Sequence, residues 1–388
     1  MPVAAAPAVP KYLGSNFDAA SPALRFNMLF PAGEKGYEAW SGLGAISEEI
    51  RRCQDSLIAR QAAVSGCFQD SDKKLTLTAK NSAPFVTGLG IEHPSENGFA
   101  FLNPYGLPYL PGSGVKGVLR RAAKELASDE WFDSKSWNED SLYCDGKRTM
   151  IDVLFGNDPG DGGSDHAKGA LSFWDVIPQV KNNRLCVEVM TPHQTHYFQQ
   201  SESPHDSGKP NPILFLTVPP GSQFTFFVTC DRERLARQAQ DLAAEGRWKT
   251  LLTAAFEHAF QWLGFGAKTS VGYGAMLRDY DSERKAEEAE QERAVRREEE
   301  KILAELPKVE REIREALENR SNKGEPETTT IFTMVRGDKW EGEDKIEAAK
   351  WLQSKLQEEV NSKPKPKGEK LKRLKSKQKE VEALLKGE

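Results

Sequence analysis

Two glycine-rich segments hold the residues best equipped for chemistry, Leu110-Pro-Gly-Ser-Gly-Val-Lys-Gly-Val-Leu-Arg120 and Gly264-Phe-Gly-Ala-Lys-Thr-Ser-Val-Gly-Tyr-Gly274. Each combines glycines, hydroxyls and one lysine, a set suited to laying backbone against a phosphate. Glycine lets the main chain come close and adopt positive φ, and consecutive exposed N–H groups form a concave anion nest. In the first segment Gly112 and Ser113 open a predicted helix, where free amides and the dipole favour an anion. Lys116 opposes that dipole unless an anion is near, and Arg120 and Arg121 follow it. An ordinary N-cap by Ser113 is the plain alternative. In the second segment Gly264, Gly266, Lys268, Thr269, Ser270, Gly272, Tyr273 and Gly274 are expected to grip a backbone. The plain alternative there is a long glycine C-cap leading into a strand. Two such loops suggest a polyphosphate ligand, of which nucleic acid is the commonest long one.

Better-known phosphate loops do not fit. A nucleotide P-loop needs a strand before it, a helix after it and glycine where Ala267 precedes Lys268. Here a helix precedes and a strand follows, and a dinucleotide fingerprint fails for the same reason. His193, His196, His205 and Asp206 lie in an insertion, 191–212, and invite a metal or general-base reading. Pro192, Pro204, Pro210 and Pro212 mark that insertion instead as a projecting arm without preorganisation, expected to press on RNA or a partner. Asp152, Asp175, Asp158, Asp161 and Asp165 read as turn residues rather than magnesium ligands. No metal, cofactor or catalytic constellation is expected.

At 388 residues the chain has material for one large or two ordinary domains. A net charge of −5 argues against a free-standing, globally basic nucleic-acid binder. It leaves room for one local basic groove on a subunit of a complex. Cys53, Cys67, Cys144, Cys186 and Cys230 are widely spaced without a Cys-x-x-Cys pair, which argues for a reducing compartment. The N-terminal Met1-Pro-Val-Ala-Ala-Ala-Pro7 has no secretory pattern, and no apolar run approaches spanning length, so a cytoplasmic protein is expected.

The elements that must carry these loops follow from periodicity. Helices are predicted over Ile46–Val64, Ser113–Leu126 and Thr250–Leu263. Strands are predicted at Leu75–Ala79, Gly98–Leu102, Ala170–Ile177, Leu185–Val189, Ile213–Val218, Phe224–Thr229 and Val271–Tyr280. Pro219-Pro-Gly221 predicts a hairpin joining Ile213–Val218 to Phe224–Thr229. The order is α+β, ferredoxin-like and RRM-like (the scaffold of the RNA recognition motif), elongated by insertions. Three parts are expected: an N-terminal extension with a helix (1–74), the ferredoxin-like domain (75–280) and a charged helical extension (281–388). The last contains 27 acidic and 26 basic residues, with Ile302, Leu306, Val309, Ile313 and Leu317 at helical spacing. Further helices are predicted at Asp344–Val360 and, strongly basic, at Glu369–Leu385.

These residues resemble the RAMP superfamily of CRISPR-associated proteins, whose hallmark is a glycine-rich loop between the last helix and last strand. Leu107–Arg120 is similar to that family's "PGSSLKG-hLR" signature, with Gly114 where a second serine is common. Leu154-Phe-Gly156 and Gly169–Asp175 resemble a second block. Val187–His193 with Tyr197, Pro210–Val218 and Leu263–Gly274 resemble the subunit-six group of type III-B (Cmr) effector complexes. The resemblance covers residues 75–280.

It implies a non-catalytic, RNA-binding structural subunit of an antiviral ribonucleoprotein, holding the 3′ part of the guide RNA (crRNA) and supporting target RNA recognition. Implied partners are guide and target RNA, the backbone RAMP subunit, the two-domain RAMP subunit, the small helical subunit and the large polymerase-like subunit. Implied RNA contacts are Gly112, Ser113, Lys116, Arg120, Arg121, the 264–274 residues above, and His193 on the arm. Two rivals remain: a metal-independent endoribonuclease using His193 or His196, and a pure scaffold.

Overall fold

The computed structural model describes residues 17–29, 40, 42–68, 70–93, 97–128, 137, 142–144, 146–157, 166–191, 203, 210, 212–320, 324–337, 339–362 and 368–386. The chain divides into two compact units, Met1–Glu287 and Glu288–Glu388.

The first unit is built on strands β1 (Lys74–Asn81), β2 (Leu171–Phe173), β3 (Cys186–Met190), β4 (Ile213–Thr217), β5 (Gln223–Cys230) and β6 (Met276–Arg278). Alternation decides which face is buried: Leu77 and Ala79 of β1 and Phe224, Phe226 and Val228 of β5 point into one core. Four strands make an antiparallel sheet in the order β6-β1-β5-β2. Helices α1 (Glu48–Gly66), α2 (Gly112–Ala127), α3 (Met150–Phe155) and α4 (Arg247–His258) belong to the same unit. α2 buries Val115, Leu119, Ala122, Ala123 and Leu126, a 3.6-residue stripe. α4 ends in a π-helical turn, Ala259–Leu263, and delivers the chain to the second glycine loop. α3 starts with a capping box in which Thr149 and Asp152 satisfy each other's amides. Mixed helix and sheet therefore stands as expected.

One strand pairing is corrected. β4 pairs with β3 as a separate two-stranded hairpin, while β5 joins the main sheet between β1 and β2. The turn Pro219-Pro-Gly221 redirects the chain between sheets, because two prolines cannot donate to a ladder. Asn81, buried at the end of β1, holds that turn: its Nδ2 donates to Pro219 O at 3.0 Å and its Oδ1 accepts from Ser222 N at 2.8 Å. Other strands are shorter than expected. Of Gly98–Leu102 only Phe101–Leu102 is strand, paired with Leu107–Pro108. Of Val271–Tyr280 only Met276–Arg278 is strand.

Where β6 ends, α5 (Tyr280–Glu305) begins. Glu283 accepts from the Thr78 amide at 2.7 Å and pairs with Arg278 at 3.0 Å, closing the edge of β1 beyond β6. Asp279 is held by Lys80 at 2.7 Å and by the Ser282 hydroxyl at 2.6 Å. Hydrogen bonds from Lys80 and Ser282 bring its carboxyl down to about 2. A depressed carboxyl stabilises above its unfolded value, about 3.9, and loses that contribution as pH falls through the folded value. Urea unfolding should therefore give Asp279→Asn a flatter stability profile than the parent between about pH 4 and 2; identical profiles would refute the assignment.

In the second unit α6 (Lys308–Glu318), α7 (Glu327–Arg336), α8 (Gly342–Val360) and α9 (Glu369–Lys386) enclose a small core that includes Ile313, Ile331, Trp340, Leu352, Leu356 and Val381. Pro307 breaks the helical register expected to run from Ile302 to Leu317. α7 was missing from the expected set, since Thr328, Thr329 and Thr330 lower helix propensity and packing overrides them. All five cysteines are free thiols. No described helix is long and apolar enough to cross a membrane.

Candidate nucleic-acid interface

The second glycine loop is a tightly bonded frame around one open turn. Gly264 N donates to Ala259 O, Phe265 N to Gly274 O, Ala267 N to Val86 O and Gly274 N to Pro84 O, all at 2.8–3.0 Å. Phe265 is fully buried against Phe226 and Phe260, which pins the loop to the core. Between these anchors Lys268 takes a left-handed conformation (φ 59°, ψ 29°) and starts a 3₁₀ turn, Thr269–Val271. Val271, Gly272 and Tyr273 turn their amides inward to Lys268 O, Thr269 O and Lys268 O. The amides of Lys268, Thr269 and Ser270 donate to no backbone carbonyl among the described residues. A left-handed residue followed by a helical turn, with successive amides free of backbone carbonyls, is the geometry of an anion nest. Ser270 is exposed and Thr269 half-exposed beside it.

Lys268 extends toward the β3–β4 hairpin. Its Nζ lies 2.9 Å from Met190 Sδ and 5.4 Å from the Phe215 ring centroid. A thioether is a weak acceptor, and no carboxylate pairs with this ammonium among the described residues. The charge is thus positioned by apolar and π contacts without being neutralised. Tyr273 is half-buried, its ring 6.0 Å from Phe215. Burial raises its phenol pKa, with Glu188 adding to the effect. Its ring is committed to packing rather than standing free for stacking.

The first segment is arranged differently from its expected role. α2 begins at Gly112 with Pro111 at the cap position, and no side chain caps it from within. The Gly112 amide donates to Asp175 Oδ1 at 2.7 Å, so a carboxylate already occupies that part of the helix N-terminus. Gly112 is needed for packing: a Cβ would run into the Phe173 carbonyl. Arg120 faces Asp152 at 3.6 Å, and Arg121 bonds Glu125 at 2.9 Å. Glu125 also bonds the buried His258 at 2.9 Å. Burial works to raise the Glu125 pKa, and the hydrogen bonds from His258 and Arg121 overcome it, leaving it lowered. Ser113 is exposed and Lys116 half-exposed, with neither in an ion pair among the described residues. The anion expected at Gly112 is, in the folded chain, an internal one.

No hydrogen bond, ion pair or ring contact joins the two segments among the described residues. The first is held at the edge of β2 and the second by the exit of β1 and the β3–β4 hairpin. His193, His196, His205, Asp206, Asp158, Asp161 and Asp165 lie outside the described residues. Residues missed as part of the site are Met190 and Phe215, which steer Lys268, and Asp175, which closes α2. Only alternation within β3 and β4 hinted that Met190 and Phe215 would face anything, and nothing local names Lys268 as the partner.

The model of the RAMP superfamily matches residues 78–277. The "CRISPR system Cmr subunit Cmr6" of Pyrococcus furiosus is 27% identical over 246 residues, which are 51% of this chain and 66% of that protein. A protein of the same description from Saccharolobus solfataricus is 27% identical over 180 residues, 46% of this chain and 47% of that protein. The chain thus spans about two thirds and about half of the lengths of these relatives. Among solved structures, the type III-B Cmr-beta complex bound to cognate target RNA aligns with a TM-score of 0.40 at 19% identity, over 62% of this chain and 69% of that one. The Pyrococcus furiosus Cmr6 crystal structure aligns with a TM-score of 0.30 at 25% identity, over 53% and 98% of the two chains.

Proposed function

The chain belongs to the RAMP superfamily, and from that premise we propose that it is a non-catalytic subunit of a cytoplasmic type III-B CRISPR effector complex that holds guide RNA by its backbone. The curated relatives described as Cmr6 subunits support the assignment to that complex. Its partners are then guide and target RNA and the other Cmr subunits. The strand–helix–strand halves of the first unit, with sheet order β6-β1-β5-β2, support a ferredoxin-like reading with the β3–β4 hairpin as an insertion.

The observation that carries the proposal is the Lys268–Ser270 turn. Among the described residues it offers amides that donate to no backbone carbonyl, two hydroxyls and an ammonium paired with no carboxylate, on a frame fixed by buried Phe265. Such a site reads phosphate, not base, and leaves sequence to base pairing. Ser113 and Lys116 are the residues of the first segment that join it in this reading. His93 and His258 are engaged inside the fold, by the Phe26 carbonyl at 2.9 Å and by Glu125.

The test is photo-crosslinking of guide RNA in the complex reassembled with its other subunits. Lys268→Glu should lower crosslinking to the 264–274 peptide about tenfold or more, the scale of one charged hydrogen bond. Undiminished crosslinking in Lys268→Glu, or crosslinks confined to other subunits, would sink the reading and leave a scaffold.

A further inference from the structure

The cations of α9 sort by the direction they face. Residues 363–386 contain ten basic and three acidic side chains, whereas 281–362 contain 16 basic and 23 acidic. α9 buries Leu374 and Val381 in the second unit's core. The basic residues nearest that side have partners: Lys377 Nζ donates to Thr329 Oγ1 at 2.8 Å and lies 5.3 Å from the Phe332 ring, and Lys370 pairs with Glu359 at 3.7 Å. At 3.6 residues per turn the opposite side carries Lys372, Lys375, Ser376 and Lys379, all exposed. None of these lysines is ion-paired among the described residues.

We infer that this lysine stripe is a contact for a nucleic-acid backbone, distinct from the 268–270 turn. Like charges three and four residues apart destabilise a helix by a few tenths of a kcal/mol each. A merely solvated helix relieves this by interleaving signs, as α5 does with Arg284–Asp281, Arg296–Glu300 and Lys301–Glu298. Glu369 and Glu382 stand three residues from Lys372 and Lys379 but pair with neither among the described residues, so Lys372, Lys375 and Lys379 run unpaired on one line about 10 Å long, and a row of phosphates supplies the missing charge. Lysine, a flexible point charge rather than a planar fork, suits contact that ignores sequence. The ligand class is therefore a single-stranded RNA or DNA backbone. The argument rests on α9 alone, so its failure leaves the turn reading untouched.

The experiment uses the full chain and a fluorescein-labelled oligouridine, with anisotropy titrations across a salt series. Both are run in the parent and in Lys268→Glu, so that the turn does not mask the helix. Lys372→Glu, Lys375→Glu and Lys379→Glu together should weaken binding about tenfold or more at low salt. The slope of log Kobs against log salt should become shallower by about 2, at roughly 0.7 per single-strand phosphate contact. Arg293→Glu, Arg297→Glu and Lys350→Glu together change the net charge equally on exposed helical positions and should leave affinity within about twofold. Equal losses in both triple variants overturn the proposal in favour of a net-charge effect. Unchanged binding in the α9 triple, with circular dichroism intact, overturns it in favour of an acidic protein surface as the occupant.

Discussion

Gly274→Ala is expected to lower the melting temperature by roughly 5 °C and to abolish guide crosslinking at the 264–274 peptide together. Gly274 has φ of +73°, and a Cβ placed there would sit on the Phe265 carbonyl oxygen and main chain. The left-handed conformation alone costs a non-glycine residue about 1–2 kcal/mol. Pushing the backbone away from Phe265 adds about 1–3 kcal/mol, the usual range for overpacking. The bond from Phe265 N to Gly274 O at 3.0 Å lies in the same contact and would be lost. A total of roughly 3 kcal/mol corresponds to about 5 °C in a unit of this size. Gly272→Ala is the matched control. Its φ of +92° imposes the same conformational cost, but a Cβ there meets nothing within 4 Å. Differential scanning fluorimetry should separate the two variants clearly. Equal melting temperatures would mean that the loop is not the rigid frame described above.

Phe226→Ala is expected to cost about 4 kcal/mol of unfolding free energy, within the 3–5 range for a buried Phe→Ala. Phe226 is 1% exposed at the centre of β5. Its ring stands 5.2 Å from Phe256, 5.5 Å from Phe260 and 5.2 Å from Phe265. One side chain thus couples the sheet, α4, the π-helical turn and the loop, with edge-on aromatic contacts adding to the apolar area removed from water. Urea unfolding followed by tryptophan fluorescence measures the loss directly. Because Phe265 would relax into the cavity, RNA crosslinking at the loop should fall along with stability. A loss under about 1 kcal/mol would show that the cluster repacks and that the loop is not anchored through it.

Much of the fold was legible because it is written in local period. The α2 stripe Val115, Leu119, Ala122, Ala123 and Leu126 predicted a helix that differs from the observed one by a residue at each end. The alternation in β1 and β5 likewise found both central strands. Partner choice was less legible. Ile213–Val218 and Phe224–Thr229 are adjacent and separated by a turn, so a hairpin was the economical expectation. The ladder instead runs from Ile213–Thr217 back to Cys186–Met190, a pairing that depends on what else the sheet can accept. The candidate site divides the same way. Lys268, Thr269 and Ser270 were named from composition, whereas the internal carboxylate on Gly112 and the pairing of Arg120 and Arg121 were not.

By itself the sequence determined most of the long elements and the positions of the two loops, since helical and strand periods, prolines and glycines act within a few residues. It also determined the family, because several motif blocks recur in order. The tertiary structure alone decided that the Gly112 amide meets an internal carboxylate and that the Lys268 ammonium meets a thioether and a ring. Asp175 is 63 residues from Gly112, and Met190 is 78 from Lys268. Whether an amide or an ammonium is free for a ligand depends on groups brought close by packing, and those separations carry no local signature.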